Sequence, residues 1–289
     1  MKVTGFTFIR NAITFDYPVV EAITSILPVC DEFIVSVGNS DDDTRGLIER
    51  INSSKIKIID SIWDDSLREG GKVLALETDK VFDQITKETD WCFYIQADEV
   101  VHEKYHPEIL DKMNLYLNDN IVEGLLFNYT HFYGSYNYVA DSRNWYRNEI
   151  RIIRNDKTIR SYRDAQGFRK EGRKLQVKPI NAFIYHYGWV KNPIYQKRKE
   201  KYFHKFWHSD NWIGANVKKG NEFDYSIVDS LTLFKHSHPL VMQKRVATMD
   251  WKFDFDIRKK QFSLKKWLLY FYEKLTGVRL FEYRNFKII

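Results

Sequence analysis

The chain has 289 residues, 44% of them hydrophobic and 16% aromatic, so it is neither disordered nor short of material for a sizeable core. Two cysteines exclude a disulfide-built secreted scaffold, and the longest wholly apolar run, residues 267–272, falls far below the ~20 residues of a spanning helix. The net charge of +6 conceals an asymmetry: residues 1–150 carry 14 Lys and Arg against 26 Asp and Glu, whereas residues 151–289 carry 31 against 13.

The N-terminus runs directly into a strand pattern at residues 3–8, with no signal-peptide pattern before it, and this predicts a cytoplasmic protein. A helix over 19–27 follows, opened by Pro18 near its first turn. The apolar run 33–37 leads into Gly38-Asn39-Ser40 and three aspartates, and Asp43 or Thr44 then caps a helix through Ile51. Residues 56–59 read as a strand. Residues 73–85 read as a helix, with Val73, Leu74, Leu76, Val81, Phe82 and Ile85 mostly on one face. Residues 91–95 form a short buried strand with Cys92 as a core thiol. A helix over 107–117, striped by Ile109, Leu110, Met113 and Leu117, precedes a strand at 122–129. This alternation predicts an α/β fold, a mainly parallel sheet with helices on both faces. From about residue 135 the pattern changes to short strands at 149–153, 175–177 and 182–186, then to basic aromatic helices over 193–208 and 264–275.

In parallel sheets, ligands bind outside the carboxyl ends of the strands. Those ends are Arg10-Asn11, Gly38-Asn39-Ser40, Trp63-Asp64-Asp65 and Gln96-Ala97-Asp98-Glu99. All are polar, which points to an enzyme-like nucleotide or sugar site. The basic second half suits anions (phosphates, nucleic acid or an anionic membrane face), with a solvated basic surface as the alternative. Residues 91–99 read as a buried strand delivering carboxylates at its end. Carboxylates hold hard divalent cations, which neutralise diphosphates; exposed loop acids are the plainer reading.

This segment resembles the metal motif of family 2 glycosyltransferases with a GT-A fold, in the bacterial lipopolysaccharide-core and surface-polysaccharide branch whose motif reads Asp-Ala-Asp-Glu. The resemblance covers about the first 190 residues. Phe8-Ile9-Arg10-Asn11 matches the first-strand end that holds the nucleotide, and Ser40-Asp41-Asp42-Asp43-Thr44 matches the loop after the second strand. Trp91, the stretch Tyr185-His186-Tyr187-Gly188-Trp189 and the tail from Gly277 to Lys287 also look like family members. Two positions depart: Gln96 stands for the first metal-motif Asp and Val37 for the Asp that contacts the base. Gln accepts a hydrogen bond but adds no charge.

Composition marks a basic aromatic helical region over 191–289, and the resemblance implies a nucleotide-sugar-binding half over 1–135 with acceptor-side strands over 136–190 completing the same domain. It implies that Asp98 is the direct ligand of Mn2+ or Mg2+, that His186 is a further ligand or a diphosphate contact, and that Arg10, Asn11, Asn39, Asp42 and Gln96 meet the donor. A hydrogen-bonded, half-buried histidine is the alternative for His186. Lys72, after Gly70-Gly71, sits at a helix start suited to phosphate, or simply follows a turn. An inverting transfer needs a base for the acceptor hydroxyl. Asp164 is the first candidate, from the acceptor loop, and Glu149 the second.

His102-Glu103-Lys104-Tyr105-His106 spells a zinc-protease pattern, but that chemistry needs both imidazoles on one helix face, and Pro107 disfavours helix at His106. His204 and His208 lack a third ligand and read as packing or acceptor-facing groups. Basic residues beside aromatic ones at 193–208 and 259–272 suit an anionic membrane carrying a lipid-linked acceptor, with Lys265 and Lys266 at headgroups. The same mixture suits single-stranded nucleic acid, which is the less expected partner. The reading is therefore a glycosyltransferase, inverting and divalent-metal-assisted, moving a sugar from a nucleoside-diphosphate donor to a surface-glycan or lipid-linked acceptor. The alternative is a nucleic-acid or membrane-binding module on a degenerate transferase fold.

Overall fold

The structure, a computed structural model, describes residues 1–217 and 220–289. Its first half alternates as expected: β1 (Val3–Ile9), α1 (Val19–Ile26), β2 (Glu32–Gly38), α2 (Thr44–Glu49), β3 (Ile56–Ser61), α3 (Lys72–Asp83) and β4 (Trp91–Tyr94). There follow β5 (Glu99–Val101), α4 (His106–Leu115), β6 (Gly124–Tyr133), β7 (Ser135–Ala140), β8 (Asn148–Arg154), β9 (Ile159–Tyr162), β10 (Gly167–Lys170) and β11 (Arg173–Trp189). The remainder holds α5 (Pro193–His204), α6 (Asp210–Asn216), β12 (Leu231–Leu233), α7 (Gln243–Ala247), α8 (Leu264–Thr276) and β13 (Phe286–Ile288).

The class is α/β, as the alternation predicts. The main sheet runs β3-β2-β1-β4-β8-β6-β11-β10-β9. Strands β3, β2, β1 and β4 are mutually parallel, and β6 is parallel to β11. Between these two sets lies β8, antiparallel to both β4 and β6. Strand alternation delivers two apolar faces. Phe33, Val35, Trp91 and Phe93 pack with α1, α2 and α4 on one side, while Phe6, Ile34, Cys92 and Tyr94 pack with Val73, Val81 and Phe82 of α3 on the other.

Local signals explain most element ends. The Asp43 carboxylate accepts from the Gly46 N–H and caps α2. Ser263 caps α8, and Gly277 ends it at φ 70°. Four sequence expectations are corrected. The strands expected at 175–177 and 182–186 are one 17-residue strand, β11, because its pairing with β6 tolerates a register shift between Pro179 and Phe183. Helix α4 begins at His106, with Pro107 in the first turn, where its missing N–H costs nothing. Helix α5 stops at His204, short of His208. Residues 191–289 are also not wholly helical: β13 joins the sheet beside Leu175–Val177, and β12 pairs with β7.

Candidate active site

A cavity of about 1530 Å³ opens at the carboxyl ends of β1 and β4. Its floor includes Arg10 after β1 and Gln96, Ala97 and Asp98 after β4. One wall is the β9–β10 turn with Asp164; another is His186 and Trp189 of β11. Helix α5 and the turn after it close it with Lys199, Tyr202, Phe206 and Trp207. The basic aromatic helix at 193–204 thus faces the strand ends. Tyr202 stacks on Phe15 at 4.7 Å, and Phe206 meets Trp63 at 5.9 Å.

The two acids between β4 and β5 diverge. Glu99 turns into the core, where Arg151 grips it through two hydrogen bonds of 2.8 Å and the Tyr129 hydroxyl donates a third. Asp98 faces the cavity. Its Oδ2 accepts from the Lys199 ammonium at 2.9 Å, and Oδ1 lies 3.8 Å from His186 Nε2. Burial would raise the Asp98 carboxyl, but Lys199, His186 and Lys191 outweigh it and hold the group far below the usual carboxylate range. Gly188 leaves room for this arrangement: a Cβ there would lie 2.6 Å from His186 Nε2 and 2.7 Å from Asp98 Oδ2.

His186 is oriented by His131. Burial pushes His131 down to about 3, so it is neutral. Its Nε2 faces the Tyr146 carbonyl oxygen at 2.8 Å and must donate, leaving Nδ1 to accept from His186 Nδ1 at 3.1 Å. Burial lowers His186 as well. Its Nε2 then offers a lone pair to the cavity, a better acceptor for a hydroxyl than a donor to phosphate.

Other candidates divide by location. Arg10 lines the cavity, donating to the Asn39 carbonyl oxygen at 3.0 Å and pairing with Asp65 at 2.6 Å. Its guanidinium lies between the rings of Trp63 and Tyr202, 5.7 and 6.0 Å from their centres. Gln96 donates from Nε2 to the Ala165 carbonyl oxygen at 3.1 Å, tethering the Asp164 turn. Burial raises the Asp164 carboxyl. Gly71 seats this residue: φ is 68°, and a Cβ there would come within 2.6 Å of Asp164 Cβ and 2.8 Å of Trp207.

Asn11, Asn39 and Asp42 serve the loops after β1 and β2. Asn11, at φ 56°, exchanges side-chain hydrogen bonds with Asp41. Asn39 Oδ1 accepts from the Trp63 N–H at 3.1 Å. Both Asp42 oxygens are engaged, one by the Thr14 N–H at 2.7 Å and the other by the Thr44 N–H and hydroxyl. Asn39 and Asp42 border a separate, smaller cavity of about 280 Å³. Lys72 points outward and pairs with Glu69 at 2.7 Å. His102 and His106 bond to Ser237 and to the Ser25 carbonyl oxygen respectively, so the zinc-protease pattern does not converge.

Glu149 is buried on β8 against Gly167 and Asn285 and is not among the residues lining the cavity. Burial pushes its carboxyl up to about 7. The folded chain therefore holds a proton there that the unfolded chain, titrating near 4.3, has lost. Stability from this group is full below pH ~4 and falls as pH rises to 7. Glu149→Gln should accordingly stabilise the chain at pH 8 by on the order of 2–3 kcal/mol and change little at pH 4.5. Denaturant melts at the two pH values check this; an equal effect at both would contradict it.

Sequence reasoning missed Lys199, Lys191, His131 and Arg151. Lys199 is one of five basic residues in a single run, and nothing in the spacing marks it. The residues present do not fit a resident divalent cation, which takes about six mostly oxygen ligands. Among the described residues, no group of three or more His, Cys, Asp and Glu converges. Glu99 is committed to Arg151, and Asp98 already carries an ammonium.

No family model and no curated protein matches the chain. Among solved structures it is similar to S. aureus TarS residues 1–349 in complex with UDP, at 15% identity and TM-score 0.40, over 70% of this chain and 64% of that one. It is also similar to glucosyl-3-phosphoglycerate synthase from Mycobacterium tuberculosis in complex with Mn2+, UDP and phosphoglyceric acid, at 17% identity and TM-score 0.31, over 45% of this chain and 43% of that one. A third is 4-diphosphocytidyl-2C-methyl-D-erythritol synthase from Anaerococcus prevotii, at 9% identity and TM-score 0.34, over 53% and 71%. The chain thus spans less than two thirds of the first two. No residue role is carried over from likenesses this distant.

Proposed function

We propose that the chain is an inverting glycosyltransferase that moves a sugar from a nucleoside-diphosphate donor to a surface-glycan or lipid-linked acceptor. The observation that carries this is one aromatic-walled cavity, at parallel strand ends, holding cations on one side and an upshifted carboxylate on the other. The resemblance of the first 190 residues to the lipopolysaccharide-core branch supports the same reading. Lys199 and Arg10 meet the diphosphate and stabilise the charge that develops as it leaves. Asp164 takes the acceptor hydroxyl's proton as the oxygen attacks the anomeric carbon. Aromatic walls such as Trp145, Trp189 and Trp207 stack on sugar faces. Because Trp63 and Trp207 border the donor side, UDP, GDP or dTDP should quench tryptophan fluorescence saturably. Failure of all three to do so would contradict the reading.

The proposed acceptor is reached at a membrane surface through α8. Leu264, Leu268, Phe271, Tyr272 and Leu275 form one exposed stripe on this helix, Leu268 at 71% and Leu275 at 85% exposure. The polar side faces the protein instead. Tyr270 donates to Asp141 at 2.9 Å, Glu273 pairs with Arg143 at 2.8 Å, and Lys266, expected at headgroups, bonds to Asn144 at 3.0 Å. Lys265 and Lys274 flank the stripe and fit anionic headgroups, each worth about 1 kcal/mol near the surface. Among the described residues no helix is long and apolar enough to cross a membrane, so attachment by α8 would be interfacial. The chain should sediment with anionic vesicles at low salt and much less with neutral ones, and Leu268→Glu with Phe271→Glu should abolish it. Self-association without vesicle binding would contradict this assignment.

A further inference from the structure

An ammonium stands against Asp98, the carboxylate that the sequence reading gives to a divalent cation. Lys199 projects from α5 across the cavity to the β4 end. Its Nζ donates to Asp98 Oδ2 at 2.9 Å and to the Gly188 carbonyl oxygen at 3.1 Å. It also lies over the Tyr17 and Phe203 rings, at 4.9 and 5.3 Å. An ammonium has three N–H donors. Two are spent on the chain, and Lys199 lines the cavity, so the third is left for a ligand.

The surroundings fix the ammonium rather than merely admit it. Both Lys199 and Asp98 side chains are only 12% exposed. Gly188 supplies a carbonyl oxygen and the space that a side chain would occupy. A second buried amine, Lys191, is anchored nearby on the Asp16 carbonyl oxygen at 2.6 Å and faces the same Tyr17 ring at 4.7 Å; burial and then the charge of Lys199 push it down to about 7, so Lys199 is the cation this pocket keeps. A divalent ion on Asp98 would have to displace Lys199 or sit beside it, and like charges at that range repel strongly where water is excluded.

We propose that Lys199 is a built-in cation of the donor site: locked by Asp98 and the Gly188 carbonyl oxygen, its ammonium binds the donor diphosphate in the position a divalent metal would otherwise take. This rests on the nucleoside-diphosphate reading above and adds its charge source. Asp98 is then a positioning residue for Lys199 and does not itself touch the donor. Donor binding depends on α5 being docked, because that helix supplies the charge. Lys199→Arg retains a cation but replaces the compact ammonium by a planar fork, so it should rescue binding only in part.

Calorimetric titration with UDP, GDP and dTDP, each with EDTA and with added Mn2+, tests the proposal. The nucleotide that binds best should do so within about twofold in the two conditions. Lys199→Met should weaken it by about 10–100-fold, the range expected when a charged hydrogen-bond partner is lost, and Lys199→Arg should recover part of that. Lys199→Met alone strands Asp98, so the paired variant Asp98→Asn with Lys199→Met is measured as well; a thermal melt near that of the unaltered chain together with weak nucleotide binding supports the assignment. Wild-type affinity in that folded pair overturns it. Binding that EDTA abolishes also overturns it, while leaving the donor reading intact. Absence of binding by all three nucleotides in both conditions overturns the donor reading and this inference with it.

Discussion

Arg151→Met should cost about 3–5 kcal/mol of folding stability, the loss typical of stranding one member of a buried ion pair. Arg151 and Glu99 are 1% and 0% exposed, so neither charge can turn to water when its partner goes. The guanidinium lies over the Tyr94 and Tyr129 rings, each ring centre 5.4 Å away, and donates to the Ile150 and Gln166 carbonyl oxygens at 2.9 and 3.3 Å. Glu99 reaches back to accept from the Gln96 N–H at 3.1 Å. The pair therefore ties the β4 end to the turn bearing Asp164, and its loss should loosen the cavity floor as well as the core. Adding Glu99→Gln to Arg151→Met removes the stranded charge and should restore at least half of the loss. Chemical denaturation measures both; a single variant as stable as the unaltered chain would show that the pair is not what holds this junction.

Asp164→Asn should lower kcat by roughly 10²–10⁴ while leaving donor affinity unchanged, the loss expected of a general base. The residue sits in a turn where Arg163 and Ala165, neither a glycine, hold φ near +57° and +61°. Such conformations cost of order 1–3 kcal/mol each and persist where surrounding structure enforces them. Here Gln96, Gly71 and Trp207 do so. Burial raises the Asp164 carboxyl, so the base takes up its proton at a higher pH than a free aspartate. The acid limb of the kcat profile should lie above the ordinary aspartate value of about 4 and disappear in the Asn variant. A near-normal kcat in that variant would move the role elsewhere in the cavity, with the His186 Nε2 lone pair the next group to test.

Much of the first half is legible in the sequence because its signals are local. Period-two and period-3.6 patterns mark β1 to β4 and α1 to α4, and of the polar strand ends Arg10, Trp63 and Gln96-Ala97-Asp98 line the cavity, whereas Gly38-Asn39-Ser40 line the smaller one. Asp98 lies in the turn between β4 and β5 and Glu99 opens β5, which is why the two part company despite reading as one acidic motif. What the local pattern leaves open is the partner of each acid: Lys199 lies 101 residues from Asp98 and Arg151 lies 52 from Glu99. Long-range pairing decides which of several basic residues enters the site. The same holds for Asn11 and Asp42, whose polar groups look available for a nucleotide until the loops after β1 and β2 close on each other. Helix α8 inverts the usual inference from amphipathicity. Its stripe is plain in the sequence, but polar anchors such as Asp141 and Arg143 hold Tyr270 and Glu273 inward and leave the apolar stripe out.

The central claim is that this cavity handles a nucleotide-activated sugar. Release of nucleoside diphosphate from UDP-, GDP- and dTDP-linked sugars, followed with and without Mn2+, measures it most directly. The expected result is steady release from at least one donor class by the unaltered chain and little or none by Asp164→Asn. No release from any donor under either condition would contradict the account.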